Sequence, residues 1–373
     1  MEENKVKKIA KEILNIADIQ IDGNNPWDIK VYNENFYSRV LDKGSLGLGE
    51  SYMDKWWDCQ NVDQFIYKIL RSKIDEKVEK DFGLLFKIFI AKLFNRQSKA
   101  RAFQVGEKHY NLGNKLFKNM LDSKMIYSCG YWKDVDNLDQ AQENKLDLIC
   151  KKIGLEKGMK VLDIGCGWAG FAKYASEKYG VKVVGITISK EQTKLAKEKC
   201  KGLPIEIRLE DYRDIDEKFD RIVSIGMIEH VGYKNYRKYM EVVNRCLKDD
   251  GLFLLHTIGS SISVKSGDAW LDKYIFRNGM LPSIEQLGKV MGNLFVMEDW
   301  HNFSADYDKT LMAWHSNFNN NWDKIKSNYD ERFFRMWNYY LLSCAGAFRA
   351  RKMQLWQIVL SKSGVLGGYK SIR

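Results

Sequence analysis

From about residue 158 the chain alternates short apolar runs with helical patterns, and this restricts its fold more than any other feature. MKVLDIG, VKVVGITIS, IEIRLED, FDRIVSIGM and GLFLLHTIG each read as a strand. FAKYASEKYG, KEQTKLAKEKCKG and KNYRKYMEVVNRCLKDDG read as helices between them, the first and last stopped by glycine. Strands alternating with helices of about 10–15 residues predict a parallel, doubly wound α/β sheet. Right-handed crossovers place a ligand at the carboxyl ends of such strands. Residues 260–345 are expected to be mostly helical and aromatic, and QLWQIVLSK to supply a last strand.

A length of 373 residues suggests two domains, at roughly 100–200 residues each. Residues 1–95 read as short helices joined by loops, a small helical N-terminal domain. LDKGSLGLGESYMDKWW combines turn glycines with Trp56 and Trp57, and VDQFIYKIL sets Val62, Phe65, Ile66 and Ile69 on one helical face. Leu84–Phe94 is apolar around nearly its whole circumference, broken by Lys87 and Lys92. It is expected to be either a buried helix or an interfacial one with snorkelling lysines. Residues 96–106 read as a linker, and 107–373 as the larger domain.

A bilayer crossing needs about 20 consecutive apolar residues, and Leu84–Phe94 falls short of that. The start, MEENKVKKIAKEIL, is a charged helical pattern rather than a leader peptide, so a cytoplasmic protein is expected. Seven scattered cysteines without a CxxC pair argue against a disulfide framework and a structural zinc site, and no metal is expected. The net charge of +11 is unevenly placed. Leu84–Gly106 holds five basic residues and Arg332–Arg373 eight, with no acid in either stretch. Both are interleaved with apolar residues, which points to a polyanion such as a phospholipid surface or a nucleic acid. Solvated lysines on helix faces are the alternative.

The most specific local signal is VLDIGCGWAGF, with Gly165, Gly167 and Gly170 spaced G-x-G-x-x-G after the first strand. A dinucleotide site would add an acid about 20 residues later for the ribose, but the second strand ends VVGITIS without one. The acid lies instead in the loop, at Asp163. A carboxylate there opposes a pyrophosphate and suits a cationic ligand, such as the amino group of S-adenosylmethionine (SAM).

YNLGNKLF, IYSCGYW, VLDIGCGW, VGITIS, EDYRDI, GMIEHVG, LLHTIGS, YIFRNGMLPS, EDWHNFSADYDKTLMAW and AGAFRARKMQLWQIVLSK together resemble the bacterial cyclopropane-fatty-acyl-phospholipid synthases, from about residue 104 to the end. The resemblance implies a Rossmann-like class I SAM-dependent methyltransferase fold with a small helical N-terminal domain. It implies transfer of a methylene unit from SAM to the cis double bond of an unsaturated acyl chain in a membrane phospholipid. The alkene attacks the sulfonium methyl, the resulting carbocation loses a proton, and the ring closes. The family's base is a bound bicarbonate. A homodimer, peripheral on the inner face of the cell membrane, is the expected form.

Carried onto this sequence, the resemblance places the bicarbonate site on Cys129, Glu229, His256, Ile258 and Tyr307. Glu229 and His256 follow apolar strands and so fall at the ligand-binding edge. His256, with an ordinary pKa of ~6.5, is expected to donate to the anion and relay a proton. Glu229 is expected to orient or deprotonate the anion, Ile258 to offer its backbone N–H, Tyr307 its hydroxyl and Cys129 a weak S–H donor. The cofactor residues are Tyr127, Ser128, Asp163, Gly165, Gly167, Thr187, Ile188, Gln192 and Asp211, the last accepting from the adenine amino group. Tyr110 is expected to set a π-face near the sulfonium.

Three rivals differ in what they require. An RNA or DNA methyltransferase would use SAM and the positive charge, but the chain carries no recognisable RNA-binding motif, so no nucleic-acid partner is expected. An alkene methyltransferase stopping at a branched methyl or methylene product shares the same carbocation. A non-catalytic lipid binder has no need for the Asp163 loop or for Glu229 and His256 on adjacent strands.

Overall fold

The computed structural model describes residues 2–72, 113–264 and 266–373. Leu84–Phe94, the linker at 96–106 and Tyr110 lie outside the described residues. The chain divides into two compact units. One gathers the described residues of Met1–Met120 with Val264–Gly279 and Leu311–Met353; the other takes Leu121–Ser263, Met280–Thr310 and Gln354–Arg373.

The first unit is helical apart from one small antiparallel pair, β1 (Ile29–Val31) with β2 (Trp57–Cys59). Trp57 is fully buried among Phe36, Tyr52 and Phe65, and its indole N–H donates to the Leu48 carbonyl at 3.0 Å. Helix Val62–Arg71 buries Val62, Phe65 and Ile69, while Ile66 is only partly covered. Helix Glu331–Arg349 packs against it so closely at Gly346 that a Cβ there would stand 2.4 Å from the Asp63 carbonyl. Arg349 Nη1 donates to the Asp63 carboxylate at 2.5 Å on the same contact.

The second unit is built on a seven-stranded sheet of order β5-β4-β3-β6-β7-β9-β8. The strands are β3 (Lys160–Ile164), β4 (Lys182–Thr187), β5 (Ile205–Leu209), β6 (Phe219–Ile225), β7 (Leu247–Gly259), β8 (Val296–Asn302) and β9 (Gln354–Ser361). β3 to β7 pair in parallel, as the alternation predicts. The sheet is not wholly parallel, however, because β9 runs antiparallel to both neighbours.

Two further expectations are corrected. VMEDWHN, within the stretch expected to be mostly helical, is the edge strand β8; its polar residues mask any strand period, and pairing with β9 holds it extended. The helix read through to Gly251 ends at Cys246, and β7 already begins at Leu247, which pairs with Phe219.

Alternate side chains of each strand enter two different cores. Leu162, Ile222, Phe253, Leu255 and Ile358 pack against helices Tyr236–Cys246 and Ile284–Met291. Val161, Val183, Val223, Leu254 and Val359 pack against helices Leu138–Lys152 and Gly170–Tyr179. Asp163, His256 and Gln357 share the parity of that second set, so they face the Leu138–Lys152 layer at the carboxyl end of the sheet.

Trp356 packs against Gly259, where a Cβ would come within 1.9 Å of its ring. Gly259→Ala is expected to lower unfolding stability by about 1–3 kcal/mol through overpacking. Gly288→Ala, in a helix with open space around it, is expected to raise it by roughly 0.5–1 kcal/mol. Urea unfolding midpoints of the two variants check both signs.

Candidate active site

The loop after β3 turns through Gly165 at φ 82° and Gly167 at φ 55° before helix Gly170–Tyr179 begins. Side chains other than glycine rarely adopt these angles. A Cβ on Gly165 would also meet Met227 at 2.9 Å. The backbone N–H groups of Gly165 and Cys166 donate to the Ile186 carbonyl at 3.0 Å, which locks the loop to β4.

Beside this loop lies a cavity of about 480 Å³, a volume suited to a small-molecule cofactor. Tyr127, Ser128, Asp163, Gly165, Gly167, Thr187, Ile188, Gln192 and Asp211 all line it. Thr187 Oγ1 donates to Gln192 Oε1 at 2.8 Å. The Asp211 carboxylate already accepts from the Arg213 backbone and guanidinium at 2.8–3.0 Å, and this partner holds its pKa below the usual carboxylate range. Asp163 is buried, and its Oδ2 has no hydrogen-bond partner. Burial pushes its pKa up to about 7, opposed by Lys145.

Lys145 was not legible as a site residue. Its ammonium is fully buried in the wall of the same cavity and donates to Ser128 Oγ at 2.9 Å. Burial pulls its pKa down to about 8, against the opposing charge of Asp122. The available signal was spacing: Leu138, Ala141, Gln142, Lys145, Ile149 and Lys152 form the buried stripe of Leu138–Lys152. Two lysines seven residues apart on an apolar stripe are a departure from pattern.

Glu229 sits in a short 3₁₀ turn after β6, and His256 lies in β7 paired with Ile225. Both are buried, and Glu229 Oε2 and His256 Nε2 have no hydrogen-bond partner. The Ile258 N–H, expected to meet the anion, donates instead to Glu229 Oε1 at 2.7 Å. The reason is register: β7 carries that amide to the turn holding the carboxylate. Burial raises the Glu229 pKa, opposed by backbone hydrogen bonds.

The expectation that His256 titrates near its ordinary value is also corrected. Burial, reinforced by Lys145 and Lys152, drives its pKa well below 6.5, so the ring is neutral. It packs edge-on to Phe303, with centroids 5.9 Å apart.

Cys129 is fully buried; its thiol donates to the Gly130 carbonyl at 3.1 Å and lies 3.8 Å from Thr310 Oγ1. Burial pushes its pKa well up, so it stays a thiol. Tyr307 is buried in the first turn of helix Ala305–Asn320. That turn clamps the Cys129 loop. Asp306 accepts from the Trp132 N–H at 2.8 Å, and Thr310 Oγ1 accepts from Gly130 N–H at 3.1 Å and the Trp132 indole at 2.9 Å.

A second buried cluster lies toward β8. Lys152 Nζ is 3.0 Å from His301 Nδ1 and 3.5 Å from Asp299, which also pairs with Arg373 at 2.6 Å. Burial pulls the His301 pKa down to about 4. Among the described residues no group of three or more His, Cys, Asp or Glu could hold a metal ion.

Residues 97–358 match the family described as mycolic acid cyclopropane synthetase. The chain is 56% identical over 366 residues to the cyclopropane-fatty-acyl-phospholipid synthase of Escherichia coli strain K12, covering 98% of this chain and 96% of that protein. A solved cyclopropane synthase from Mycobacterium tuberculosis is similar at TM-score 0.64 and 29% identity, over 68% of this chain and 96% of the other. A mycolic acid cyclopropane synthase complexed with SAH and CTAB is similar at TM-score 0.63 and 32% identity, over 68% and 96%.

The depressed His301 pKa carries a stability consequence. Between its ordinary 6.5 and about 4, the unfolded chain takes up a proton that the folded chain refuses, so this contribution is full above 6.5 and is lost as pH falls. Asp163, raised in the fold, titrates with the opposite sign. The test is therefore the difference between the native protein and His301→Gln. Lowering the pH from about 6.5 to about 4 is expected to cost the native protein about 1–2 kcal/mol relative to the variant, discounted for partial exposure. Urea titrations across that range measure it.

Proposed function

The chain belongs to the mycolic acid cyclopropane synthetase family, and on that premise we propose that it converts unsaturated acyl chains of membrane phospholipids to cyclopropane acyl chains. The second unit has the class I SAM-dependent methyltransferase fold. In the proposed reaction a methylene passes from SAM to the cis double bond, through a carbocation deprotonated by bound bicarbonate. The products are the cyclopropane fatty acyl phospholipid and S-adenosylhomocysteine. The observation that carries the proposal is a pair of unpartnered polar atoms, Glu229 Oε2 and His256 Nε2, buried at the carboxyl end of the sheet that also bears the glycine-loop cavity.

The residues present fit both groups. Asp163 Oδ2, buried without a partner, suits the ammonium of SAM, and Thr187, Gln192 and Asp211 offer polar atoms along the same cavity. The unpartnered His256 Nε2 suits an oxyanion, and the buried Tyr307 hydroxyl is a further candidate donor; the one proton of the Cys129 thiol is already given to the Gly130 carbonyl. When bound, SAM supplies an electrophilic methyl and bicarbonate an oxygen that accepts the proton lost on ring closure.

The protein's own contribution is positioning and dryness. Burial of His256, Glu229 and Cys129 keeps bulk water from a cation that would capture it. The neutral His256 ring and the protonated Cys129 thiol add no competing nucleophilic anion. The Glu229 carboxylate, steadied by the Ile258 N–H, orients the anion and moderates positive charge.

We further propose peripheral binding to the inner face of the cell membrane from the cytoplasm, as a homodimer. Residues 1–95 would contact lipid, joined through 96–106 to the catalytic residues 107–373. The net charge of +11 supports attraction to anionic headgroups, although Arg332, Arg335, Arg349, Lys362 and Arg373 of the basic C-terminal stretch are paired with Asp54, Asp58, Asp63, Asp249 and Asp299. No helix of the described residues is long and apolar enough to cross a membrane.

Three outcomes are expected. Lipid mass spectrometry after incubation with SAM and unsaturated vesicles shows a gain of one CH2 with loss of the alkene; a gain with the alkene retained means methylation without closure. His256→Ala lowers turnover at least ~100-fold but leaves SAM affinity nearly unchanged, whereas Asp163→Asn weakens SAM binding ~10-fold or more through loss of a charge-assisted hydrogen bond. Vesicle binding weakens as salt is raised; salt-independent binding would remove the electrostatic part of the proposal.

A further inference from the structure

β9 reads QLWQIVLS, an apolar strand with a glutamine in its interior. Gln357 is fully buried there. It is paired across the sheet with His256 of β7 on one side and His301 of β8 on the other, so the three side chains share one face. The Gln357 amide nitrogen lies 3.4 Å from His256 Nδ1, and its carbonyl oxygen is buried with no partner.

A carboxamide nitrogen can only donate, so the Nδ1 it meets is an acceptor and carries no proton. A neutral imidazole then holds its single proton on Nε2. Turning the amide round would set Oε1 against an Nδ1–H, but it would leave both amide N–H groups buried without a partner, where the present orientation leaves one N–H and the carbonyl oxygen. Orphaned N–H groups are the rarer and costlier case. Burial and the charges of Lys145 and Lys152 keep the ring neutral, which makes the choice of tautomer decisive.

We propose that Gln357 is a positioning residue that holds His256 as the Nε2–H tautomer, so that His256 presents a hydrogen-bond donor rather than a lone pair to the bound anion. Only the naming of that anion rests on the proposed function; the tautomer rests on the contact of the Gln357 amide nitrogen with His256 Nδ1. One consequence is that His256 does not itself accept the proton lost in ring closure. The bound anion would then supply the oxygen that takes it.

The test reads the tautomer directly. Full-length protein labelled with ¹⁵N-histidine carries five histidines, and His256→Gln identifies the signal of interest. Two-dimensional ¹⁵N–¹H spectra at neutral pH are expected to show His256 protonated at Nε2 and bare at Nδ1. Gln357→Leu removes the donor and is expected to give a mixture of tautomers with turnover down ~10-fold. Gln357→Glu offers a carboxylate that accepts, demands Nδ1–H, and is expected to lower turnover ~100-fold or more, with the KM for SAM within twofold.

A native ring protonated at Nδ1 overturns the proposal, as does a Gln357→Glu variant that loses no more turnover than Gln357→Leu. Should Gln357→Glu fail to fold, the native spectrum and the Leu variant still decide. Lipids that gain no mass with the native enzyme overturn the proposed function, while the spectrum still judges Gln357.

Discussion

The hydrogen bond from Lys145 Nζ to Ser128 Oγ joins the helix covering the sheet to the wall of the cavity, and it does so with an amino group that has no exposed surface. Burying an ammonium is costly unless its surroundings compensate. Here they do so from several elements. Asp163 stands at the end of β3, Asp122 opens the loop before the cavity, and the charge of Lys145 acts on both. Asp122 in turn accepts from the backbone of Lys124 and Ile126, shaping the chain that leads to Tyr127 and Ser128. The cavity wall and the glycine loop are therefore held by one electrostatic arrangement.

The same dry face sets the chemistry of the neighbouring residues. Lys145 and Lys152 are two turns apart on one helix stripe, and both bear on His256. Their positive field favours an anion and disfavours an imidazolium. A positively charged pocket with a neutral histidine and a protonated thiol can hold an oxyanion without presenting a strong nucleophile. Glu229 supplies the balancing carboxylate, tied by one oxygen to Ile258 and unpartnered at the other. Such unmet polar atoms weaken the fold locally, a common cost at sites where a ligand completes the bonding.

Much of this was legible before folding was considered. The short apolar runs located six of the seven strands, QLWQIVLSK among them, and the spacing of Gly165, Gly167 and Gly170 located the loop that turns through positive φ. Asp163, read from the sequence as part of that loop and placed by the structure near the end of β3 before it, is legible because a carboxylate there opposes a pyrophosphate and suits a cationic ligand. The nine residues expected to meet the cofactor line one cavity. β8 was illegible because VMEDWHN has no apolar period of its own and is held by β9. Gln357 sat unnoticed in an apolar strand, because a lone polar residue there says nothing until its cross-strand neighbour is known.

Local sequence thus determined what depends on neighbours along the chain: strand and helix periods, the glycine turn, the class of fold and the residue types available at the carboxyl edge. Tertiary structure decided protonation and partnership. The neutrality of His256, the engagement of the Ile258 amide by Glu229 and the burial of Lys145 arise from desolvation and cross-strand register. Both are set by segments far apart in sequence, such as β7 and β9, whose residues meet only when the sheet closes.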